Sequence, residues 1–211
     1  TSAGMLRPIN WTLALPYYAG AFVFGYLLGS IPFGLIFTRI AGTQDIRTIG
    51  SGNIGATNVA RSGKKSAAVL TLLGDAFKGW FPVWLALQSG MLMWVVSAVA
   101  LAVFFGHLYP IYHGFKGGKG VATALGVLIA VQPIMALLTA AAWLATAVIF
   151  RFSSLAAIVS AILAPIIYIL GGRYAWTSSI PMSIAISVMG LLLLYRHRAN
   201  IARLLQGTEP K

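Results

Sequence analysis

Three stretches of the chain concentrate residues that can hold a phosphate. The first, Ser51-Gly52-Asn53-Ile54-Gly55-Ala56-Thr57-Asn58-Val59-Ala60-Arg61, mixes glycine with hydroxyl and amide side chains and ends on a fixed positive charge. Successive backbone N–H groups in such a turn can wrap an anion, and the Ser51 and Thr57 hydroxyls can complete the hydrogen-bond shell. An ordinary polar turn leading into a helix would use the same residue types. The second, His113-Gly114-Phe115-Lys116-Gly117-Gly118-Lys119-Gly120-Val121-Ala122-Thr123, sets two lysines among four glycines directly before an apolar run. Helix N-termini favour anions, glycine lets backbone approach a phosphate, and lysine brings charge. The competing reading is a flexible basic turn lying on lipid headgroups. In the third, Tyr195-Arg196-His197-Arg198-Ala199-Asn200-Ile201-Ala202-Arg203, His197 and Asn200 are three apart and would share a helix face. Both can reach an oxyanion, although basic residues after a last apolar run often only set topology.

Other chemistry is missing. The second stretch lacks the G-x-x-x-x-G-K-[ST] spacing, and no acidic strand follows it to hold magnesium, which argues against an ATPase. There is no cysteine, no G-x-S-x-G elbow and no H-E-x-x-H pair. None of the three histidines has an aspartate five positions on, so the His-x4-Asp acyltransferase arrangement is also missing. No metal and no cofactor are expected, and reactivity would have to come from phosphorylated substrates. Arg151, Ser153, Ser154 and Arg203 are secondary candidates for the same anion. Asp75 and Lys78 lie three apart inside an apolar run, where ionised groups are costly and pair; the spacing fits a structural pair and a site-organising pair equally. His107 and Pro110 close the next run, just before the Lys-Gly loop.

The elements that must carry these loops follow from composition. Hydrophobic residues make up 59% of the 211 and charged residues 9%, and the mean hydropathy is +0.86. Such a chain cannot cover itself with polar surface. A bilayer core of about 30 Å takes about 20 apolar helical residues per crossing. Apolar runs occur near 14–38, 66–88, 91–112, 120–132, 133–150, 153–171 and 180–195. The expectation is one all-α integral membrane domain over residues 1–211, a bundle of seven transmembrane helices. With seven spans, the Lys and Arg residues divide as twelve on one side, two (Arg7 and Arg173) on the other and one (Lys78) inside a span. The positive-inside rule then puts the N-terminus outside and the C-terminus in the cytoplasm, with all three stretches on the cytoplasmic side. Thr1-Ser2-Ala3-Gly4-Met5 is read either as a cloning remnant or as a natural end after loss of an initiator Met. The net charge of +12 points to anionic partners; part of it can serve lipid headgroups, at roughly 1 kcal/mol per basic residue.

Taken together, SGNIGATNVAR, GHLYPIYHGFKGGKGVAT and RHRANIARLLQGTE resemble the signature segments of the bacterial acyl-phosphate:glycerol-3-phosphate acyltransferase family, in the same order and with Leu73-Gly74-Asp75 and Lys78-Gly79 between them. The resemblance implies a seven-helix protein of the bacterial inner membrane, its site facing the cytoplasm. It implies transfer of a fatty acyl chain from a long-chain acyl phosphate to the 1-hydroxyl of glycerol 3-phosphate, without a covalent acyl-enzyme. Membrane lipid is then a partner and nucleic acid is not. By motif position, Ser51, Arg61, Lys119, His197 and Asn200 would bind the phosphates, with Thr57, Asn58 and Lys116 in support and the backbone of Gly52, Asn53, Gly117, Gly118 and Gly120 alongside. Ser51, Lys119, His197 and Asn200 are the expected catalytic residues; either His197 or a donor phosphate oxygen would take the hydroxyl proton, the flanking arginines favouring the latter. A transporter of phosphorylated lipid precursors is the main alternative, although its ionisable residues would be expected near the midplane. An acyl-CoA donor is the other.

Overall fold

The computed structural model describes residues 9–211, so the first segment and Arg7 lie outside the described residues. The described chain folds into ten α-helices: α1 (Trp11–Gly29), α2 (Phe33–Ile40), α3 (Ala56–Arg61), α4 (Lys65–Gln88), α5 (Met93–Leu108), α6 (Val121–Val131), α7 (Pro133–Phe150), α8 (Ser153–Gly171), α9 (Ile180–Arg196) and α10 (Arg198–Gln206).

The apolar run near 14–38 is not one uninterrupted helix, because Ser30-Ile31-Pro32 separates α1 from α2. Pro32 has no N–H to offer the carbonyl of Leu28, which bonds to Ile31 N at 3.2 Å instead. The carbonyl of Ile31 accepts from Phe33 N at 3.2 Å and from Lys78 Nζ at 2.8 Å. At the other doubtful junction, Gln132 is extended and its side chain accepts from Ile134 N at 3.4 Å. Pro133 therefore opens α7, where its missing N–H costs nothing, and does not kink a longer helix.

Four stretches, Trp11–Ile40, Met93–His113, Pro133–Phe150 and Ser153–Gly171, are individually long and apolar enough to cross a bilayer, and α9 with α10 makes a fifth if that bent pair counts as one span. The helix α4 is longer than most but carries Asp75 and Lys78, while α6 has only eleven residues. Leu137, Leu144, Val148 and Ile149 of α7 point outward and are mostly exposed, as side chains facing lipid would be.

Glycine sets the closest helix crossings. A Cβ on Gly29 of α1 would stand 2.2 Å from the Val103 carbonyl oxygen of α5, and one on Gly126 of α6 would stand 1.9 Å from the Ala76 oxygen of α4. Backbones that close cannot admit any side chain, and such contacts replace the missing hydrophobic drive in lipid. The main core lies among α4 to α9, from Val83, Val103 and Phe104 to Met182 and Leu193. A smaller cluster of Leu35, Ile46, Ile54, Val59 and Ala67 seats the first loop beside α2 and α4.

Candidate phosphate site

The first loop is tied by one side chain. Asn58, buried on α3, donates through Nδ2 to the carbonyls of Ile46 (2.8 Å), Asn53 (2.8 Å) and Ile49 (3.2 Å), while its Oδ1 accepts from Ser51 N at 3.1 Å. With every polar atom engaged, Asn58 shapes the loop and has nothing left for a ligand. Gly50 and Gly52 make the bends with φ of 52° and 68°, a region open to glycine at little cost. Ser51, Thr57 and Arg61 stay exposed on the outside. Arg47 is clasped by Asp45, with Nε 2.9 Å from Oδ1, and these bonds hold the Asp45 carboxyl down at about 2.

The Gly-Lys loop is held differently. Gly117 N donates to Leu108 O and Gly118 N to His107 O, both at 3.1 Å. From the other side Arg196 Nη2 donates to the carbonyls of Gly117 and Gly118, each at 3.0 Å, with its guanidinium 5.5 Å from the Tyr109 ring centre. The amides of Gly117 and Gly118, expected to cradle phosphate, are thus engaged with the end of α5. What the loop presents instead is Lys119, half-buried; Lys116 is exposed.

Lys119 Nζ donates to Asn200 Oδ1. Asn200 Nδ2 in turn donates to Glu209 Oε1 at 2.7 Å, and Arg203 Nε donates to Glu209 Oε2 at 2.6 Å. An ammonium only donates and a carboxylate only accepts, so the amide orientation of Asn200 is determined. Burial would raise the Glu209 carboxyl, but the bonds from Asn200 and Arg203 outweigh it and leave the group below its usual range. Ser154, buried at the start of α8, comes near that carboxylate, although among the described residues its Oγ makes no hydrogen bond. Burial lowers the Lys119 ammonium first; Arg203, Arg196 and Arg61 push it the same way against Glu209. The first loop, the Gly-Lys loop and the segment after α9 thereby share one electrostatic site.

His197 lies just past the end of α9, at the bend into α10, and its Nδ1 is 2.8 Å from Leu193 O. A carbonyl can only accept, so Nδ1 carries the hydrogen and Nε2 is left with a lone pair. Burial chiefly, with Lys119 and Arg196 adding, brings the imidazole down to about 4. It is a neutral acceptor near pH 7. Arg151 holds a left-handed turn between α7 and α8 with φ of 63° and is exposed, and neither it nor Ser153 makes a side-chain bond to the cluster.

Sequence reasoning missed two residues. In the sequence Arg196 reads as a topology charge and as one of the two arginines flanking His197, without a loop-holding role, and Glu209 reads only as one of three acids. The signal for Glu209 was its rarity, since an acid among so many cations has partners.

The model of the glycerol-3-phosphate acyltransferase family matches residues 19–207. A glycerol-3-phosphate acyltransferase of Bordetella petrii is 57% identical over 195 residues, covering 92% of each chain. One from Methylobacillus flagellatus is 55% identical over 186 residues, covering 87% of this chain and 91% of its own. A crystal structure of PlsY, an integral membrane glycerol 3-phosphate acyltransferase, in its glycerol 3-phosphate form superposes with a TM-score of 0.86 at 42% identity, covering 92% of this chain and 95% of that one. The lysophosphatidic acid form gives 0.85 at 41% identity. With several apolar helices and this match to an integral membrane protein, the chain is a multi-pass membrane protein, and it belongs to the glycerol-3-phosphate acyltransferase family.

Proposed function

We propose that the protein transfers a fatty acyl group from a long-chain acyl phosphate to the 1-hydroxyl of glycerol 3-phosphate, giving lysophosphatidic acid and inorganic phosphate. The observation that carries this reading is Lys119, whose ammonium feels Arg203, Arg196 and Arg61 and is opposed by one carboxylate, Glu209, itself bonded by Arg203. A half-buried lysine whose charge is disfavoured by neighbouring arginines is relieved by a doubly charged phosphate. Arg61 and Lys119 are the main clamps, worth about 1.5–3 kcal/mol per charged hydrogen bond. Ser51 adds a neutral donor, and so does the second Nδ2 hydrogen of Asn200, the first being given to Glu209. The neutral His197 Nε2 accepts from the glycerol 1-hydroxyl and orients it. With a pKa of about 4 the imidazole is a weak base, which favours proton transfer to the donor's own phosphate. The hydroxyl oxygen attacks the acyl carbon, the C–O bond to phosphate breaks, and the proton leaves with inorganic phosphate. The acyl phosphate is already activated, so no acyl-enzyme is required.

In this reading the bundle crosses the bacterial inner membrane seven times, α1 with α2 forming the first span and α6 a short fourth. The N-terminus is outside, and the C-terminus and the cationic cluster are cytoplasmic. The twelve-to-two distribution of Lys and Arg supports that orientation.

The test is phosphate release by purified protein in lipid, given glycerol 3-phosphate and palmitoyl phosphate, with palmitoyl-CoA as parallel donor. Release accompanied by lysophosphatidic acid from the acyl phosphate alone is expected. Turnover only with the CoA ester would overturn the donor, and silence with both would overturn the reaction.

A further inference from the structure

Beneath the two loops lies a group of ionisable side chains that the proposed chemistry does not touch. Lys78 and Asp75 of α4 and His107 of α5 are 1%, 3% and 4% exposed. Lys78 Nζ is 3.1 Å from Asp75 Oδ1, and the same oxygen is 3.8 Å from His107 Nδ1. Buried charges are expensive in a membrane bundle, and replacing a buried pair by apolar residues is often neutral or stabilising. Stability alone is therefore a poor account of these three.

Their outer contacts point to a task. At one end Lys78 donates to Ile31 O at 2.8 Å, in the break between α1 and α2. That break leads into α2, whose Gly34 lies so close to Ile54 that a Cβ would stand 1.9 Å from the Ile54 oxygen. Ile54 belongs to the first loop. At the other end the His107 carbonyl receives Gly118 N at 3.1 Å, and the imidazole lies directly under Gly118, where a Cβ would come within 2.3 Å of Nε2. One residue further on is Lys119.

We infer that Asp75, Lys78 and His107 are positioning residues that set the spacing between the first loop and the Gly-Lys loop, and hence between Arg61 and Lys119. The inference rests on the proposed phosphate-binding roles of those two cations. Two clamps carried on separate loops bind one small phosphorylated substrate well only when their separation is fixed. The ion pair lies within α4; Lys78 ties it to the α1–α2 break by one hydrogen bond, and the Asp75 carboxylate packs against His107 of α5 beyond hydrogen-bond distance, so this buried strut cannot yield without opening a void in the packing. The strut reaches no reacting atom, so its loss weakens substrate capture more than turnover.

The experiment compares wild type, the double variant Asp75→Asn/Lys78→Met and His107→Gln for thermal stability in detergent, KM for glycerol 3-phosphate and kcat with palmitoyl phosphate. The double variant removes both buried charges together, so it is expected to melt within a few degrees of wild type. Its KM should rise at least about tenfold, with kcat falling less than about threefold. His107→Gln keeps the ion pair and should raise KM by a smaller factor. A folded double variant with KM within twofold of wild type overturns the inference, as does a rise in kcat loss that matches or exceeds the rise in KM. Should the double variant not fold, His107→Gln decides by the same KM criterion, and Asp75→Glu, which keeps the charges but lengthens the strut, is the second discriminator. Wild type inactive on acyl phosphate would instead sink the functional reading itself.

Discussion

Two glycine-bearing loops face the same cluster, and they are built on opposite plans. The first is shaped from within, by the Asn58 side chain bonding four backbone groups of its own loop. The second is held from outside, between the end of α5 and the Arg196 guanidinium from a residue 79 positions away. In the first, glycine serves torsion, at Gly50 and Gly52. In the second, glycine serves proximity, since Gly117 and Gly118 touch α5 where no Cβ fits. A count of glycines cannot distinguish these plans, yet they assign different groups to substrate. The Gly-Lys loop offers a lysine, not the two amides that glycine-rich phosphate loops usually offer.

The largest expected effect tests that difference directly. In Gly117→Ala the new Cβ would lie 2.0 Å from His107 O, and backbone against backbone cannot be relieved by a rotamer change. The loop must lift, carrying Lys119 with it, and a displacement of about 1 Å at a clamp can cost about 100-fold in activity. Activity should fall by at least that factor in the acyl phosphate assay. A variant with near-wild-type turnover would mean the loop is not seated against α5 as described.

Removing the charges themselves comes next. Arg61→Ala and Lys119→Ala each delete one charged hydrogen bond to substrate, about 1.5–3 kcal/mol, or roughly 10- to 150-fold in kcat/KM. Arg61 is exposed and Lys119 only half-buried, so both variants should insert and melt like wild type. Equal losses would make the two loops equal partners in the clamp. A loss confined to Lys119→Ala would leave the first loop as support alone.

A third effect belongs only to the second loop's side of the site. His197, chiefly through burial and then through Lys119 and Arg196, is lowered from 6.5 to about 4. The unfolded chain takes up this proton near pH 6.5 while the folded chain stays neutral, so the stability linked to His197 is present above about 6.5 and is lost as pH falls toward 4. The full difference is roughly 3 kcal/mol. Thermal melts from pH 7 to 4 should show a shallower acid loss in His197→Gln than in wild type. Identical slopes would mean that the folded imidazole titrates normally and is not the neutral acceptor that orients the glycerol hydroxyl.

Much of this arrangement was legible in the residues, and the remainder was hidden for identifiable reasons. The helix ends at Gln88, Val131, Phe150 and Gly171 fall where apolar runs meet glycine, proline or charge, because lipid imposes length and composition together. The pairing of Asp75 with Lys78 followed from the cost of a lone charge in that setting. The break at Ser30-Ile31-Pro32 did not stand out, since hydropathy reports what surrounds a segment and is indifferent to whether its backbone is continuous. The roles of Arg196 and Glu209 were invisible for another reason. Lys119 reaches Asn200 across 81 positions, and no local spacing encodes which carbonyl a distant guanidinium will find. Asn58 was legible as a polar residue in the right loop, but whether an amide faces a ligand or its own backbone depends on the fold of twelve preceding residues.

The smallest effect sharpens the comparison from the other side. Gly52 sits at φ of 68°, and a Cβ there would lie 3.1 Å from Arg47 O, a contact that a shift of a few tenths of an ångström relieves. Gly52→Ala therefore meets the left-handed backbone penalty of roughly 1–2 kcal/mol but no immovable neighbour. For a chain of this size that corresponds to about 2–8 °C in melting temperature, with activity reduced only in proportion to the folded fraction. Gly52→Asn, whose side chain tolerates this region better, should recover part of the loss. If Gly52→Ala instead abolished turnover in a protein that still melted normally, the first loop would be presenting its backbone to the substrate, and the division between a loop that bends and a loop that packs would have to be redrawn.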